Sequence, residues 1–240
     1  MKVLSIGNSF SQDAQRYLKG VCDAAGVEIK NVNLYIGGCT LLRHYNNMIG
    51  DIADYELEMY GESCGKTVTM KEILTSDDWD VITLQEASPR STEIYHYEPY
   101  ISALAKYVRE LCPKAKIALH ETWGYDEGTN RIKNLGFYKH RDMFFAIEKC
   151  YTEIKDHIGA EIIIPSGKTM QLLFDQGFLI HRDGFHASLG LGRYAIALTW
   201  LKTLFGVKVF GNSFCNFDED QTPTPEEIKA AWEVVDSLKI

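Results

Sequence analysis

The sequence predicts an α/β fold, a three-layer α/β/α sandwich whose central, mostly parallel sheet has five strands. Short apolar runs of strand length alternate along the chain with longer segments whose apolar residues recur at helical spacing. This alternation is typical of a parallel sheet that carries helices on both faces. The 240 residues contain no internal repeat and no low-complexity linker, so we expect a single domain spanning 1–240.

The strands of the predicted sheet are apolar runs that end at a small or polar residue. They are Val3–Ile6, Glu28–Tyr35, Asp80–Leu84, Lys116–Leu119 and Glu161–Ile164. Two further extended segments, Tyr55–Tyr60 and Lys66–Met70, flank the turn-forming stretch Gly61–Gly65. They predict a small β-hairpin insertion around 55–70.

The predicted helices show apolar residues at every third or fourth position. They cover Asp13–Val21, Lys71–Leu74, Pro99–Leu111, Tyr138–His157, Ser166–Phe174 and Leu189–Phe205. Thr224 and Pro225 indicate the N-cap and the first position of a terminal helix. Residues 124–136 and Phe214–Gln221 are predicted to be loops, and the polar segment after Leu42 is assigned no element.

The composition limits the classes of partner. The formal net charge of −8 argues against nucleic acid or an anionic membrane surface as a partner. The same charge disfavours an acidic substrate, unless a local group of Lys and Arg side chains overrides it. A hydrophobic fraction of 45% supplies one large core, and 12% aromatic residues suffice to line a cleft as well.

The six cysteines are widely scattered and include no CxxC pair, which excludes a familiar zinc motif and favours free, mostly buried thiols. They are Cys22, Cys39, Cys64, Cys112, Cys150 and Cys215. Met1 leads straight into the first predicted strand without a basic and apolar leader, and no apolar run approaches the length of a membrane span. We therefore expect a cytoplasmic protein, or a secreted one if a leader has been removed.

Ser9 is the candidate nucleophile. It lies in Gly7–Ser11, a turn between the first strand and the first helix, where free N–H groups and the helix dipole favour developing negative charge. Gly7 permits backbone angles that a larger residue resists. The alternative is an ordinary strand–helix turn in which Ser11 or Asp13 is the N-cap.

Among the seven histidines, His186 is the strongest candidate for the base that a nucleophilic serine needs. It lies three residues after Asp183 in a turn before a helix, so that one loop can present both side chains. Asp183 would accept the Nδ1–H of the imidazole and leave Nε2 to take the serine proton. The alternative is that both residues cap a loop–helix junction. His120 ends a strand and could face the same cleft, but no carboxylate pattern marks it as a base.

Small or polar residues stand where four of the predicted strands end. They are Ser9, Gly38, Gln85 and the segment His120–Trp123. Because ligands bind beyond the carboxyl ends of the strands in an open parallel sheet, we expect these residues to lie around one cleft.

Together these motifs resemble the blocks of the SGNH (GDSL-type) hydrolases. Gly7–Ser11 looks like the first block, with Asn8 where the family usually carries Asp, and Gly38–Thr40 is similar to the second. Asp183–His186 matches the final Asp-x-x-His block, so the resemblance covers essentially the whole chain. It is closest to the branch with Gly-Asn-Ser in the first block and Leu-Gln in the third. The third block usually offers an Asn side chain, and here the matching residue is Gln85.

This resemblance implies an SGNH-hydrolase/flavodoxin-like sandwich and a serine esterase that works through an acyl-enzyme. Ser9 would be the nucleophile, His186 the general acid and base, and Asp183 its orienting partner. The oxyanion hole would consist of the N–H groups of Ser9 and Gly38, to which the resemblance adds the side-chain amide of Gln85. We expect the reaction to need no metal and no organic cofactor.

The expected substrate is a small-molecule ester, with an acetyl group on a carbohydrate or similar polar alcohol favoured. The aromatic residues suited to stacking on sugar faces are Tyr95, Tyr97, Tyr100, Trp123 and Tyr125. The candidate substrate contacts are Asn8, Glu86, His120 and Trp123. Two alternatives stay open: a thioesterase or short-chain lipase with the same triad, and a non-catalytic carbohydrate-binding protein on a hydrolase scaffold.

Overall fold

A computed structural model of the chain describes residues 1–218 and 221–240. Its strands are β1 (Lys2–Gly7), β2 (Lys30–Tyr35), β3 (Tyr55–Met59), β4 (Glu62–Val68), β5 (Val81–Leu84), β6 (Lys116–His120) and β7 (Ile162–Ile164). They form one sheet in the order β4-β3-β2-β1-β5-β6-β7. The strands β1, β2, β5, β6 and β7 are paired in parallel, whereas β3 pairs antiparallel with β2 and β4 antiparallel with β3.

The predicted α/β sandwich with a mostly parallel sheet is confirmed, but the sheet has seven strands where five were predicted. The two additional strands are the predicted hairpin, which pairs with β2 and extends the sheet. Without it, β2 would be an edge strand with unpaired N–H and C=O groups. Val32 of β2 lies opposite Met59 of β3, and Tyr35 lies opposite Glu56, so the hairpin covers this edge.

The helices of the described residues flank the sheet. They are α1 (Ser9–Gln15), α2 (Leu18–Ala24), α3 (Leu41–Gly50), α4 (Met70–Leu74), α5 (Tyr100–Leu111), α6 (Asn130–Asn134), α7 (His140–Ile158), α8 (Ser166–Asp175), α9 (Leu191–Phe205) and α10 (Pro225–Ser237). The apolar helix α9 packs against α1, α2, α8 and α10, while α5 packs against α3 and α7. Within residues 1–218 and 221–240, no helix combines the length and the apolar character that crossing a bilayer requires.

Several boundaries differ from the prediction. The segment predicted as one helix, Asp13–Val21, is split between α1 and α2. The helices α3 and α6 were not predicted. The buried residues of α3 are Leu41, His44 and Asn47, so two of the three are polar and hide the apolar spacing that identifies a helix. In the predicted loop Phe214–Gln221, residues 219 and 220 lie outside the described residues.

The start of α10 follows the prediction closely. Thr224 is its N-cap, Pro225 is its first residue, and the Thr224 hydroxyl accepts the N–H of Glu227 at 3.2 Å. The Glu227 carboxylate accepts the N–H of Thr224 at 2.7 Å in return. This reciprocal capping box explains why a short polar motif is enough to predict where the helix begins.

The carboxyl ends of the central strands meet at one edge of the sheet. Ile6 of β1 lies beside Leu34 of β2 and Leu84 of β5, and Leu84 lies beside Leu119 of β6. The segments that leave these strands therefore start side by side. They build the walls of the site described next.

Candidate active site

Ser9 is the first residue of α1 and lies two positions beyond the end of β1. Asn8 is the N-cap of this helix, because its Oδ1 accepts the backbone N–H of Phe10 at 3.0 Å. Neither Ser11 nor Asp13 has this role. The Ser9 hydroxyl therefore does not cap the helix and is available to other hydrogen-bond partners.

The structure brings Ser9, His186 and Asp183 together in a chain of hydrogen bonds. The Ser9 Oγ lies 2.9 Å from His186 Nε2, and His186 Nδ1 lies 2.7 Å from Asp183 Oδ2. The second carboxylate oxygen of Asp183 accepts the backbone N–H groups of Phe185 at 3.3 Å and His186 at 2.9 Å. The Asp183 carboxylate thus fixes both the conformation of its own loop and the orientation of the His186 imidazole.

The negative charge of the Asp183 carboxylate is stabilised beside the His186 ring. Partial burial raises the pKa of Asp183, but hydrogen bonds from the ring and backbone of His186 oppose this effect. Together with the charge of that ring and the Phe185 N–H, they leave the pKa below its ordinary value. An ionised Asp183 accepts the Nδ1–H of His186, which leaves Nε2 as the acceptor for the Ser9 hydroxyl.

A cavity of about 410 Å³ opens beside Ser9 and His186. Its wall is built from segments that follow the strand ends, with the loop before α9 on the other side. These segments are Asn8–Phe10, Gly37–Gly38, Ala87–Pro89 and Phe185–His186. The volume is in the range of sites that hold small molecules.

Two backbone donors are available at this wall. Gly38 lies in the turn after β2 with a φ of +62°, a conformation that favours glycine. The N–H groups of Ser9 and Gly38 donate to no acceptor among the hydrogen bonds of residues 1–218 and 221–240. Both residues line the cavity, as the predicted oxyanion hole requires of them.

Gln85 has partners that differ from the predicted one. Its Nε2 donates to Asn8 Oδ1 at 2.7 Å, and its Oε1 lies 2.8 Å from His120 Nδ1. The side chain is 1% exposed and is not part of the cavity wall. The amide therefore braces Asn8, whose own Nδ2 donates to the Cys39 carbonyl at 3.0 Å. This arrangement does not supply the predicted hydrogen bond to an oxyanion.

His120 lies below the cavity instead of in its wall. Its Nδ1 faces Gln85, and its Nε2 lies 3.1 Å from the Ser166 hydroxyl. Burial lowers the pKa of His120 to about 3, so the ring is neutral at ordinary pH. The structure thus corrects the predicted substrate contact: the ring is enclosed by protein and cannot reach a ligand.

Glu86 is also enclosed. Its Oε1 accepts the N–H of Leu41 at 3.0 Å and of Ala87 at 2.6 Å, while its Oε2 has no partner among the described residues. Burial raises the pKa of Glu86 to about 7, although the two N–H groups act in the opposite direction. Glu86 joins the start of α3 to the segment after β5. Its predicted contact with substrate is corrected for the same reason as that of His120.

Trp123 contacts the loop that carries Asp183 and His186 from beneath. Its ring stacks on Phe10 at a centroid distance of 3.9 Å, and its Nε1 donates to the Phe185 carbonyl at 2.7 Å. The side chain is fully buried, which corrects the predicted substrate contact. Of the aromatic residues expected to face sugars, Tyr125 lines the cavity. The cavity wall does not include Tyr95, Tyr97 or Tyr100.

A buried ionic connection that the sequence did not predict joins α1 to the loop that carries Asp183 and His186. The fully buried Asp13 carboxylate accepts from Arg182 Nη1 at 2.9 Å, from Arg193 Nε at 2.8 Å and from the Ala187 N–H at 3.1 Å. These contacts join α1 to both ends of the segment that carries His186. Asp13 and Arg182 are 169 positions apart, and no local pattern links them.

A metal site is not evident in the described residues. Across 1–218 and 221–240, no three His, Cys, Asp or Glu side chains are placed to hold an ion together. The six cysteines are free, with four of them buried, as predicted.

Comparison with known proteins shows where this architecture recurs. A family model described as a domain of unknown function, DUF4886, matches residues 2–231. The crystal structure of a DUF4886 family protein from Bacteroides uniformis is 32% identical in sequence, with a TM-score of 0.88. The match covers 98% of this chain and 93% of that one. No curated protein matches the sequence.

Two solved structures of lower identity share the fold. A proposed SGNH hydrolase from Slackia heliotrinireducens is 19% identical, with a TM-score of 0.60, and the match covers 85% of this chain and 98% of that one. A family 3 carbohydrate esterase from Clostridium thermocellum is 14% identical, with a TM-score of 0.54 and coverage of 86% and 96%. The fold is therefore that of the SGNH-type hydrolases.

Proposed function

The chain belongs to the DUF4886 family, and we propose that it is a serine esterase whose nucleophile is Ser9. The observation that carries this proposal is the hydrogen-bonded chain from Ser9 through His186 to Asp183, with distances of 2.9 and 2.7 Å, beside an open cavity. A nucleophilic serine needs a base within hydrogen-bond reach and a group that orients that base. All three are present in one hydrogen-bonded chain, and Ser9 and His186 line the cavity.

The reaction follows from these contacts. Ser9 Oγ attacks the ester carbonyl while its proton passes to His186 Nε2, and Asp183 stabilises the imidazolium that forms. The carbonyl oxygen becomes an oxyanion that accepts hydrogen bonds from the N–H groups of Ser9 and Gly38. The tetrahedral intermediate collapses, the alcohol leaves with the proton from His186, and an acyl-enzyme remains.

Hydrolysis of the acyl-enzyme repeats these steps with water. His186 Nε2 takes a proton from a water molecule as its oxygen attacks the acyl carbon, and the same backbone donors stabilise the second oxyanion. Ser9 Oγ then leaves and regains its proton from His186, releasing a carboxylic acid. No metal or cofactor enters this scheme.

The proposed role of Gln85 is indirect. Its amide holds Asn8, and Asn8 in turn holds Phe10 N–H and the Cys39 carbonyl. Asn8 precedes the nucleophile, and Cys39 follows Gly38. Gln85 therefore positions the two oxyanion donors relative to each other without contacting the substrate.

The proposed substrate is a small acyl ester, an acetyl group on a carbohydrate or similar polar alcohol. The cavity of about 410 Å³ carries hydrogen-bonding side chains on its wall, among them Gln12, Tyr35 and Ser88. The Ser88 hydroxyl lies 2.6 Å from the Tyr125 hydroxyl, so that a polar alcohol would meet a prepared pair of donors and acceptors.

An acyl-chain series tests the function. We expect the purified protein to hydrolyse 4-nitrophenyl acetate and mono-O-acetylated sugars, and to lose rate as the acyl chain lengthens to octanoate. A fluorophosphonate probe should label Ser9, as shown by mass spectrometry of the labelled peptide, and a His186→Ala variant should be labelled far more slowly.

Other outcomes would separate the alternatives. A rate that rises with chain length would indicate a short-chain lipase, and a preference for acyl thioesters would indicate a thioesterase. If no ester were hydrolysed and no serine labelled while acetylated sugars still bound, the protein would be a binding module.

A further inference from the structure

The charge of the cavity wall is opposite to that of the protein. The chain has a formal net charge of −8. Nevertheless, the charged side chains that line the cavity beside the titratable His186 are Arg131 and Arg182, and the wall includes no Asp or Glu among the described residues. A local pair of arginines is the feature that would allow an acidic substrate despite the overall charge.

The two arginines differ in whether their guanidinium groups already bind an acceptor within the protein. Arg182 Nη1 donates to both oxygens of the buried Asp13 carboxylate, at 2.9 and 3.0 Å, and to the Ala187 carbonyl. Asp13 also binds Arg193, which donates to Asp218. Arg182 is therefore part of the scaffold that holds the catalytic loop.

Arg131 has no such acceptor. It is an exposed residue of α6, and none of the hydrogen bonds or ion pairs within residues 1–218 and 221–240 involves its guanidinium. Instead, its Cζ lies 3.8 Å from the centroid of the Phe185 ring, a cation–π contact. The neighbouring Ile132 is fully buried, so α6 is anchored to the core directly beside it.

Phe185 places this cation next to the reacting groups. The Phe185 ring centroid lies 3.7 Å from that of His186, so one aromatic ring contacts both the Arg131 guanidinium and the proposed catalytic imidazole. Tyr125 packs on the same Phe185 ring at 5.5 Å and lines the cavity too. Stacking on Phe185 restricts the planar guanidinium while its N–H donors stay available to a ligand.

We propose that the ester substrate of this site carries an anionic group, a carboxylate or a phosphate or sulfate ester, that Arg131 binds while the ester carbonyl lies at Ser9. A guanidinium offers paired N–H donors that match the geometry of a carboxylate or phosphate, and such charge-assisted hydrogen bonds are stronger than neutral ones. This inference rests on the proposed esterase function and names its substrate class. It makes Arg131 a specificity-determining residue.

Matched pairs of esters test this inference. The acyl arm compares the mono-4-nitrophenyl ester of glutaric acid with 4-nitrophenyl butyrate. The alcohol arm compares mono-O-acetylated glucuronic acid with mono-O-acetylated glucose, and 4-acetoxyphenyl phosphate with 4-acetoxyphenol. The quantity measured is the ratio of kcat/KM for the anionic ester to kcat/KM for its neutral partner. The pair with the largest ratio shows where the anion is attached and whether it is a carboxylate or a phosphate.

Three variants distinguish a specific contact between Arg131 and the anion from a general effect of positive charge. Arg131→Gln removes the charge, and Arg131→Lys keeps the charge but loses the planar fork. Lys133→Gln removes one charge from the same exposed helix and is the control, because Lys133 does not line the cavity. We expect a wild-type ratio of about tenfold or more in at least one pair, in line with hydrogen bonds to charged groups. Arg131→Gln should reduce the ratio to near one, Arg131→Lys should give an intermediate value, and Lys133→Gln should preserve it.

The outcomes distinguish this inference from the function on which it rests. If the wild-type protein hydrolyses no ester of either kind, the proposed function fails and the inference fails with it. If the neutral esters are hydrolysed but every pair favours the neutral member, the inference alone is overturned. It is also overturned if Arg131→Gln keeps the wild-type ratio while its melting temperature shows an intact fold.

Discussion

Two polar groups lie next to each other at the carboxyl end of the sheet, and they differ in almost every physical property. The first, called the catalytic group for its proposed role, consists of Ser9, His186 and Asp183, of which Ser9 and His186 line the cavity. The second, the buried amide group, consists of Asn8, Gln85, His120 and Ser166. In the first group the Asp183 side chain is 44% exposed, whereas in the second no residue exceeds 2%.

The difference lies in what satisfies each polar atom. In the buried amide group, the side-chain amides and ring nitrogens are paired with other protein atoms, because an unpaired polar group in the interior costs about 1–3 kcal/mol. The Ser9 and Gly38 N–H groups, by contrast, have no acceptor among the described residues, and both residues line the cavity. Position at a strand end therefore does not make a residue catalytic. The roles proposed for Ser9 and Gly38 rest instead on unused hydrogen-bonding capacity beside an open cavity.

Ionisation follows the same division. Burial lowers the pKa of His120 to about 3, so that this ring cannot take a proton near neutral pH. The pKa of Asp183 is lowered by the hydrogen bonds and charge of His186 despite partial burial, so that its carboxylate is available to stabilise an imidazolium. The two histidines therefore cannot exchange the roles proposed for them, although each lies near a strand or loop end at the same edge of the sheet.

A pair of serine variants gives the largest expected contrast between the two environments. We expect Ser9→Ala to lower kcat by roughly 10⁶-fold, since that is the typical loss for a triad nucleophile, with an unchanged melting temperature. Ser11 is fully buried two residues later, where its Oγ lies 2.8 Å from both the Asn8 carbonyl and Asn33 Oδ1. Ser11→Ala should instead cost about 1–3 kcal/mol of stability and leave kcat within about tenfold.

Steady-state kinetics and urea unfolding of both serine variants provide the measurement. A Ser9→Ala protein that kept more than a hundredth of the wild-type kcat would contradict the assignment of the nucleophile. A Ser11→Ala protein that lost activity as completely, with no loss of stability, would show that the comparison has placed the wrong serine at the reacting centre.

The fold was largely predictable because its signals are local. Val81–Leu84 and Leu191–Phe205 each carry their own pattern, and the alternation of such segments predicts parallel strands between helices. The place of β3 and β4 was not predictable, because pairing with β2 depends on which sheet edge is open. The helix α3 was missed because His44 and Asn47 occupy its buried face.

The candidate site divides in the same way. Gly7–Ser11 and Asp183–His186 are short motifs, so the three residues that the structure brings together could be named from the sequence. Gln85 could be placed at a strand end, but the sequence does not reveal its depth, and its side chain turns inward to Asn8. The contact of Asp13 with Arg182 joins segments 169 positions apart and has no local signature.

Replacing Gln85 tests whether the buried amide group is separate from catalysis. If Gln85 braces Asn8, Gln85→Ala leaves His120 Nδ1 and one face of Asn8 without partners in the interior. We expect a loss of about 1–3 kcal/mol in unfolding free energy and a fall in kcat of no more than about tenfold. Ser166→Ala, at the far end of the same group, is the control and should affect stability alone.

The contrary outcome for Gln85 is equally specific. A donor to the oxyanion would give a fall of about 10²–10³ in kcat with unchanged KM and stability when removed. That result would assign Gln85 a catalytic role, and the two groups would then no longer be separate in function. Urea unfolding curves and steady-state kinetics on the same preparations of Gln85→Ala decide between a bracing role and an oxyanion donor.

The last expected effect is a pH dependence of stability at Glu86, which is buried like the amide group but has a pKa in the range where enzymes work. Its folded-state pKa of about 7 lies above the ordinary value of 4.5, because burial disfavours the carboxylate. Glu86 therefore contributes most to stability below pH 4.5, and that contribution is lost as the pH rises through 7. Glu86→Gln removes the titration, so its stability relative to wild type should increase between pH 5 and pH 8, by at most about 3 kcal/mol.

Urea unfolding at pH 5, 6, 7 and 8 measures this difference. Glu153→Gln, on the exposed face of α7, is the matched control for replacing a Glu by Gln outside the core. A difference for Glu86→Gln that stays constant across this range would mean that the Glu86 carboxyl group keeps one ionisation state, which would contradict the prediction.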